Sequence, residues 1–205
     1  MDKSNVSVVI LTFNEQLNIK DAIQSCKELS DDVVILDSYS TDKTCKIAEG
    51  LGARIFKNEF NGYASQRNFA FKSVEYKNQW VLMLDADERI TKELSTEIKK
   101  LVPTSTNSMF TCRRKDYLFN KWLKHSSGYP TWFPRLFKLG ECWVEREINE
   151  VYRTSGRASQ LQGHLEHYPF NKGVSEWFHK HNKYSDMEAE LILFSKNKLI
   201  MRNLW

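Results

Sequence analysis

Short apolar runs that stop abruptly at polar residues set the rhythm of the first half of the chain. Val6 to Phe13 (V-S-V-V-I-L-T-F) is rich in β-branched residues and predicts a buried strand. Val33 to Leu36 and Trp80 to Leu84 predict two more, and Arg54 to Lys57 a shorter one. Helical spacing fills the gaps. Leu17, Ile19, Ala22, Ile23, Cys26 and Leu29 share one face after the first strand. A second helix runs to about Glu49, with Ser40 or Thr41 as its cap and Gly50 or Gly52 as its close. A third spans Tyr63 to about Glu75, with Ala64, Ala70, Phe71 and Val74 available for packing. Thr91 caps a fourth that carries Leu94, Ile98 and Leu101 and ends before Pro103. Such alternation predicts an α/β fold with a doubly wound, mostly parallel sheet.

Three of these strands end in polar residues: Thr12-Phe13-Asn14-Glu15, Asp37-Ser38, and Asp85-Ala86-Asp87-Glu88. Parallel strands would deliver all three ends to one edge, where open α/β sheets bind ligands. One polar strand end is routine, and the Asp85–Glu88 stretch alone reads equally well as a solvated acidic turn. Three on one edge read as a site.

After Pro103 the pattern changes. Ser108 to Arg114 predicts a further strand. From Tyr117 to Trp143 the chain is aromatic and basic with weak alternation, which predicts short strands and loops built onto the open edge of the sheet. Helical spacing returns at Gly173 and mixes Val174, Trp177, Phe178 and Tyr184 with Lys172, Lys180 and Lys183. Leu191 to Phe194 then leads to Lys196, Lys198, Arg202 and Trp205 with no stop signal, so the protein is expected to continue beyond this chain.

Composition narrows the function classes. With 205 residues, 41% apolar and 27% charged, the chain is ordinary for a globular protein. A net charge of +4 argues against a dedicated nucleic-acid binder and permits contact with phosphates or an anionic membrane surface. Cys26, Cys45, Cys112 and Cys142 form no C-x-x-C pair and read as free thiols of a cytoplasmic protein. Neither a secretory signal nor an apolar run of about 20 residues is present. His164 with His167, and His179 with His181, lack an obvious third ligand for zinc.

Four ordered motifs carry a resemblance. T-F-N-E (Thr12–Glu15), D-S-Y-S-T-D (Asp37–Asp42), S-Q-R-N (Ser65–Asn68) and D-A-D-E (Asp85–Glu88) look like those of family 2 glycosyltransferases. W-F-P-R-L-F (Trp132–Phe137), I-N-E (Ile148–Glu150), L-E-H-Y-P-F (Leu165–Phe170) and W-F-H-K-H-N-K-Y-S (Trp177–Ser185) are similar to a bacterial subgroup of lipopolysaccharide-core and surface-polysaccharide glucosyltransferases. The resemblance implies the GT-A fold: one Rossmann-like, mostly parallel sheet flanked by helices, with a C-terminal helical extension. Residues 1–105 would be the nucleotide-sugar half, 106–172 the acceptor half of the same domain, and 173–205 a helical segment. The implied activity is inverting, metal-dependent transfer of a hexose from a nucleoside-diphosphate sugar to a saccharide or lipid-linked acceptor. It implies a cytoplasmic location, with peripheral membrane contact through the C-terminal segment permitted.

A nucleotide-sugar donor gives these residues definite tasks. Asp37 can accept from the imide N–H of uracil and Asp85 from ribose hydroxyls. Thr12, Asn14, Glu15, Ser38, Gln66 and Ala86 fall where the same nucleotide would meet the strand ends. Asp87 is the expected ligand of Mn²⁺ or Mg²⁺, hard cations that join a carboxylate to phosphates. Arg67 can pair with phosphate or a carboxylate. The resemblance puts the proton-accepting glutamate at Glu150, although Asn149 replaces the histidine that precedes it in many relatives, and Glu147 stays an alternative. Trp132 and Arg135 are expected on the acceptor side, and His167 over the diphosphate. Plainer readings stand beside these: a turn aspartate at 37, a strand-to-helix turn at 14 and 15, a solvated helix residue at 67; Glu88 is left open between a residue that supports the site from behind and a surface carboxylate. A sugar nucleotidyltransferase would want a glycine-rich phosphate loop, which is absent here. A non-catalytic nucleotide- or carbohydrate-binding module is the remaining alternative.

Overall fold

A computed structural model describes residues 5–125, 128–147 and 149–202, with side chains through Leu193. Ile148 and Trp205 lie outside the described residues, as do the side chains of Phe194, Lys196, Lys198 and Arg202. By its contacts the chain forms two units, Met1–Asn171 and Lys172–Trp205.

The first unit is built on one mixed, mostly parallel sheet. Strands β1 (Val6–Thr12), β2 (Val33–Asp37), β3 (Arg54–Lys57) and β4 (Trp80–Asp85) lie in the order β3-β2-β1-β4, all parallel. Their near-continuous apolar runs follow from burial on both faces. Val6, Val8 and Ile10 pack with α1 (Ile19–Cys26), while Val9, Val81 and Met83 pack with Ala70 of α3 (Tyr63–Ser73) on the other side. Leu17, expected on the packed face of the first helix, is 61% exposed, because α1 starts only at Ile19.

Helix α2 (Thr44–Gly50) begins later than the expected caps, Ser40 and Thr41. Its N-cap position is Lys43, whose side chain makes no capping bond, and Asp42, the other cap the sequence allows, accepts from the backbone N–H of Thr44 at 2.9 Å from one residue earlier. Gly52, at φ +84°, supplies the left-handed close. Thr91 does cap α4 (Lys92–Leu101), accepting from the N–H of Leu94.

The aromatic and basic region holds the short strands and loops expected of it, and its strands join the sheet. After the short β5 (Glu88–Ile90), β6 (Asn107–Leu118), with a short β7 (Lys121–Trp122) folded back on it, β8 (Trp132–Lys138) and β11 (Arg157–His167) extend the same sheet beyond β4. The order continues β4-β8-β6-β11-β5, with β8 antiparallel to β4 and β11 parallel to β6. The alternation of β6 is hidden because its second half is polar on both faces. Arg114 and Asp116 find ion pairs there, and Lys115 lies over the Trp122 ring. A separate ribbon pairs β9 (Cys142–Glu145) with β10 (Val151–Thr154).

Gly163 of β11 sits against α4 so closely that an added Cβ would stand 2.7 Å from Leu94 Cα. Gly163→Ala is therefore expected to destabilise the fold by about 1–3 kcal/mol through overpacking. Urea unfolding checks this, and an unchanged midpoint would mean that α4 shifts freely.

The second unit is α5 (Val174–Arg202). Trp177 stacks on His181 at 3.8 Å, and Phe178, Leu191, Ile192 and Leu193 are exposed. Among the described residues no helix is long and apolar enough to cross a membrane.

Candidate active site

Register brings the polar strand ends together. Thr12 pairs with Asp37, Asp37 with Lys57, and Leu11 with Asp85, so the carboxyl ends of β1, β2, β3 and β4 share one edge. Asn14 and Tyr39 then turn at positive φ (53° and 60°), a conformation that asparagine tolerates better than most residues. The two motif loops are knitted into one. Asn14 Oδ1 accepts from the N–H of Thr41 (2.8 Å), its own N–H donates to Ser40 Oγ (2.8 Å), and the N–H of Glu15 donates to Thr44 Oγ1 (2.7 Å). Glu15 also holds Asn18 Nδ2 at 2.9 Å.

Asp37 is fully buried. It accepts from the Thr12 hydroxyl (2.8 Å) and from the N–H (2.8 Å) and hydroxyl (2.5 Å) of Ser40. This is the bonding of a turn aspartate.

Helix α3 links the strand ends. Gln66 donates to Ser38 Oγ (3.1 Å) and accepts from Asn58 Nδ2 (2.7 Å). Arg67, 8% exposed, reaches Asp85 Oδ1 with one nitrogen (3.3 Å) and Glu150 Oε1 with Nε (3.2 Å). Burial works against its charge, but Tyr152, Asp85 and Glu150 more than offset this and hold the guanidinium charged. The solvated-helix reading of Arg67 therefore falls. Asn68 donates to the carbonyl of Val144 (2.8 Å) and accepts from its N–H (2.9 Å), binding the β9–β10 ribbon to α3.

One sequence expectation needs correction here. Arg135, expected on the acceptor side, is buried, because β8 runs alongside β4 and turns it inward. It forks onto Glu88 through Nε to Oε2 (2.9 Å) and one terminal nitrogen to Oε1 (2.9 Å), and that nitrogen also reaches Asp85 Oδ2 (3.0 Å). Burial opposes its charge, and Glu88 and then Asp85 hold it well above the ordinary arginine range. Of the two readings open for Glu88, the surface carboxylate falls: it is fully buried, accepts from the N–H of Asp85 (3.1 Å) and has Arg114 at 3.6 Å. Ala86 is buried, with its carbonyl taken by Arg89.

Asp87 points to the other partner set. His167 Nε2 lies 3.3 Å from Asp87 Oδ2, and His167 Nδ1 lies 2.8 Å from Asp116 Oδ1. Burial opposes a charge on the ring, but Asp87 and then Asp116 outweigh it and push His167 up to about 9. Asp116 is held below the usual carboxylate range: burial raises it, and His167 and Arg114 lower it further. Among the described residues no group of three His, Cys, Asp or Glu side chains is set to hold a cation. The Asp87 carboxylate instead faces the charged His167 ring.

Glu147 and Glu150 have different surroundings. Glu147 Oε2 accepts from the N–H groups of Ala64 (2.9 Å) and Ser65 (3.3 Å) at the start of α3, whereas Glu150 faces Arg67 with its side chain 21% exposed. Trp132 pairs with Arg113 across β6 and β8, and its indole N–H is buried without a hydrogen-bond partner. Sequence reasoning missed Arg114 and Asp116, whose signal was the polar R-R-K-D run within β6, and the helix-capping task of Glu147.

The family model described as Glycosyl transferase family 2 matches residues 7–189. An uncharacterized glycosyltransferase of Rickettsia prowazekii, RP128, is 42% identical across 95% of this chain and 70% of its own length. A Rickettsia bellii glycosyltransferase is 41% identical, but the match spans only 35% of its length and 51% of this chain. The lipopolysaccharide core biosynthesis glycosyltransferase LpsC of Rhizobium meliloti is 26% identical over 92% of this chain and 72% of its own length. Among solved structures, Staphylococcus aureus TarS 1–349 superposes with a TM-score of 0.57 at 18% identity, covering 80% of this chain and 60% of TarS, a likeness of fold. The sheet order and the strand-end edge are those of a GT-A fold, and the chain belongs to glycosyl transferase family 2.

Proposed function

We propose that the chain is an inverting, divalent-cation-dependent hexosyltransferase. It would move a sugar from a nucleoside-diphosphate donor, with uridine as the nucleoside, to a saccharide or lipid-linked acceptor of bacterial cell-surface glycan synthesis. The observation that carries this reading is the position of Arg67, which joins Asp85 at the end of β4 to Glu150 and so sets a carboxylate pair across one sheet edge. The name of LpsC and the solved complex of TarS with UDP-GlcNAc support the pathway and the donor class.

In this reading the Thr12–Glu15 and Asp37–Ser38 turns and Gln66 frame the nucleotide, and Asp85 accepts from the ribose. Asp87, beside His167, would hold Mn²⁺ or Mg²⁺, and the cation would supply positive charge against the leaving diphosphate. Glu150 takes the proton of the acceptor hydroxyl as it attacks the anomeric carbon from the face opposite the diphosphate. Trp132 offers a ring face to the acceptor. The exposed apolar side chains and lysines of α5 suit peripheral contact with the inner face of the cytoplasmic membrane.

A thermal-shift screen of UDP-, GDP- and dTDP-sugars with and without Mn²⁺ tests the reading. UDP-sugars are expected to raise the melting temperature, more so with Mn²⁺, and Asp87→Asn to abolish the Mn²⁺-dependent part. No shift with any donor would sink the proposal in favour of a binding module for another ligand.

A further inference from the structure

We propose that Glu147 is a positioning residue, whose carboxylate clamps the loop carrying Glu150 onto the first turn of α3. The inference rests on the reading of Glu150 as the proton acceptor. A helix start leaves N–H groups without partners, and a side-chain oxygen normally supplied by the N-cap residue satisfies some of them. Here the N-cap position is Gly62, which has no side chain to offer. The oxygen comes instead from Glu147, 83 residues away in sequence from Ala64, and its negative charge suits the positive end of the helix.

Gly62 is shaped for this visitor. Its φ is +130°, and a Cβ there would stand 2.1 Å from Glu147 Oε2 and 2.7 Å from Glu147 Cδ. Only glycine therefore gives both the turn into α3 and the seat for the carboxylate. On either side of Glu147 the chain turns at positive φ, at Arg146 (64°) and Asn149 (48°). Glu147 and Glu150 both meet α3, the first at its opening N–H groups and the second at Arg67. With the Asn68–Val144 bonds, the chain is held to α3 at Val144, at Glu147 and at Glu150 itself.

The consequence is a fixed separation between Glu150 and Arg67. A reacting group misplaced by about 1 Å can cost on the order of 10²-fold in rate. With both carboxylate contacts on Oε2 made to the helix start, Glu147 acts through the loop and not on the acceptor.

The test compares Glu147→Ala, Glu147→Gln and Gly62→Ala in the full chain. The readouts are UDP release from UDP-glucose with water as acceptor, and amide hydrogen exchange at Ala64 and Ser65. Glu147→Ala is expected to lower kcat about 10²-fold and leave the donor KM within about twofold, the mark of lost positioning. Glu147→Gln, whose amide oxygen still accepts, recovers most of that loss. Gly62→Ala reproduces Glu147→Ala, and the double variant is no worse than either. Wild-type kcat in Glu147→Ala overturns the proposal. So does a Glu147→Gln variant that falls as far as Glu150→Gln, since Glu147 would then be the proton acceptor. If the wild-type chain releases no UDP, the donor reading fails, and exchange still decides the clamp. Faster exchange at Ala64 and Ser65 in Glu147→Ala and Gly62→Ala but not in Glu147→Gln supports it, and unchanged exchange in Glu147→Ala overturns it.

Discussion

Glu150→Gln is expected to lower sugar transfer by about 10²–10⁴-fold, the usual worth of a positioned proton acceptor, and to leave UDP affinity nearly unchanged. Glutamine keeps the size of the side chain and an oxygen near Arg67, so the local packing survives. What is lost is the ability to take the acceptor's proton. Donor binding should be spared because Arg67 keeps its second partner, Asp85, at the end of β4. The pattern that checks the assignment is therefore a fall in kcat with calorimetric UDP affinity within about twofold of wild type. Near-normal turnover would remove Glu150 from the role. A large loss of UDP binding would instead mean that the Glu150–Arg67 pair serves the donor.

The sequence made the parallel core readable because burial on both faces leaves its strands as unbroken apolar runs. Val6 to Thr12 and Trp80 to Leu84 could be little else, and their polar ends marked the edge before any geometry was known. The extension of the sheet was readable only in part: Ser108 to Arg114 was expected as a strand, but neither its run to Leu118 nor β11 was. In β6, Arg113 to Asp116 put charge on both faces, and only their partners make that tolerable: Glu88 and Phe133 for Arg114, His167 for Asp116, Trp122 for Lys115. Those partners lie from tens of residues away down to a handful, so no local period announces them. The same limit hid Glu88. In sequence it continues an acidic turn, yet an arginine 47 positions later draws it fully inside. Asn14 and Gln66 were picked out as ligand-facing residues, and both also brace neighbouring loops, a task that the motif spacing did not reveal.

The buried charges predict the largest stability effect. Glu88→Ala is expected to destabilise the protein by about 3–5 kcal/mol, the range for removing one partner of a buried ion pair. Native stability is itself only about 5–15 kcal/mol, so the variant should unfold at markedly lower denaturant. The loss is that large because Arg135 is buried and its fork is matched to both oxygens of Glu88, leaving a cation with Asp85 as its remaining ion-pair partner. Arg135→Ala should cost a similar amount for the reciprocal reason. The double variant should fall well short of the sum, since each single change already destroys the shared contact. Additive losses in urea unfolding would show that the two side chains stabilise the fold separately. There is also a functional reason to expect the coupling. Arg135 holds Asp85 from one side as Arg67 holds it from the other, and Glu88 accepts from the N–H of Asp85. The interior pair thus fixes the carboxylate at the strand end, and Arg135→Ala should weaken UDP binding even at temperatures where the variant stays folded.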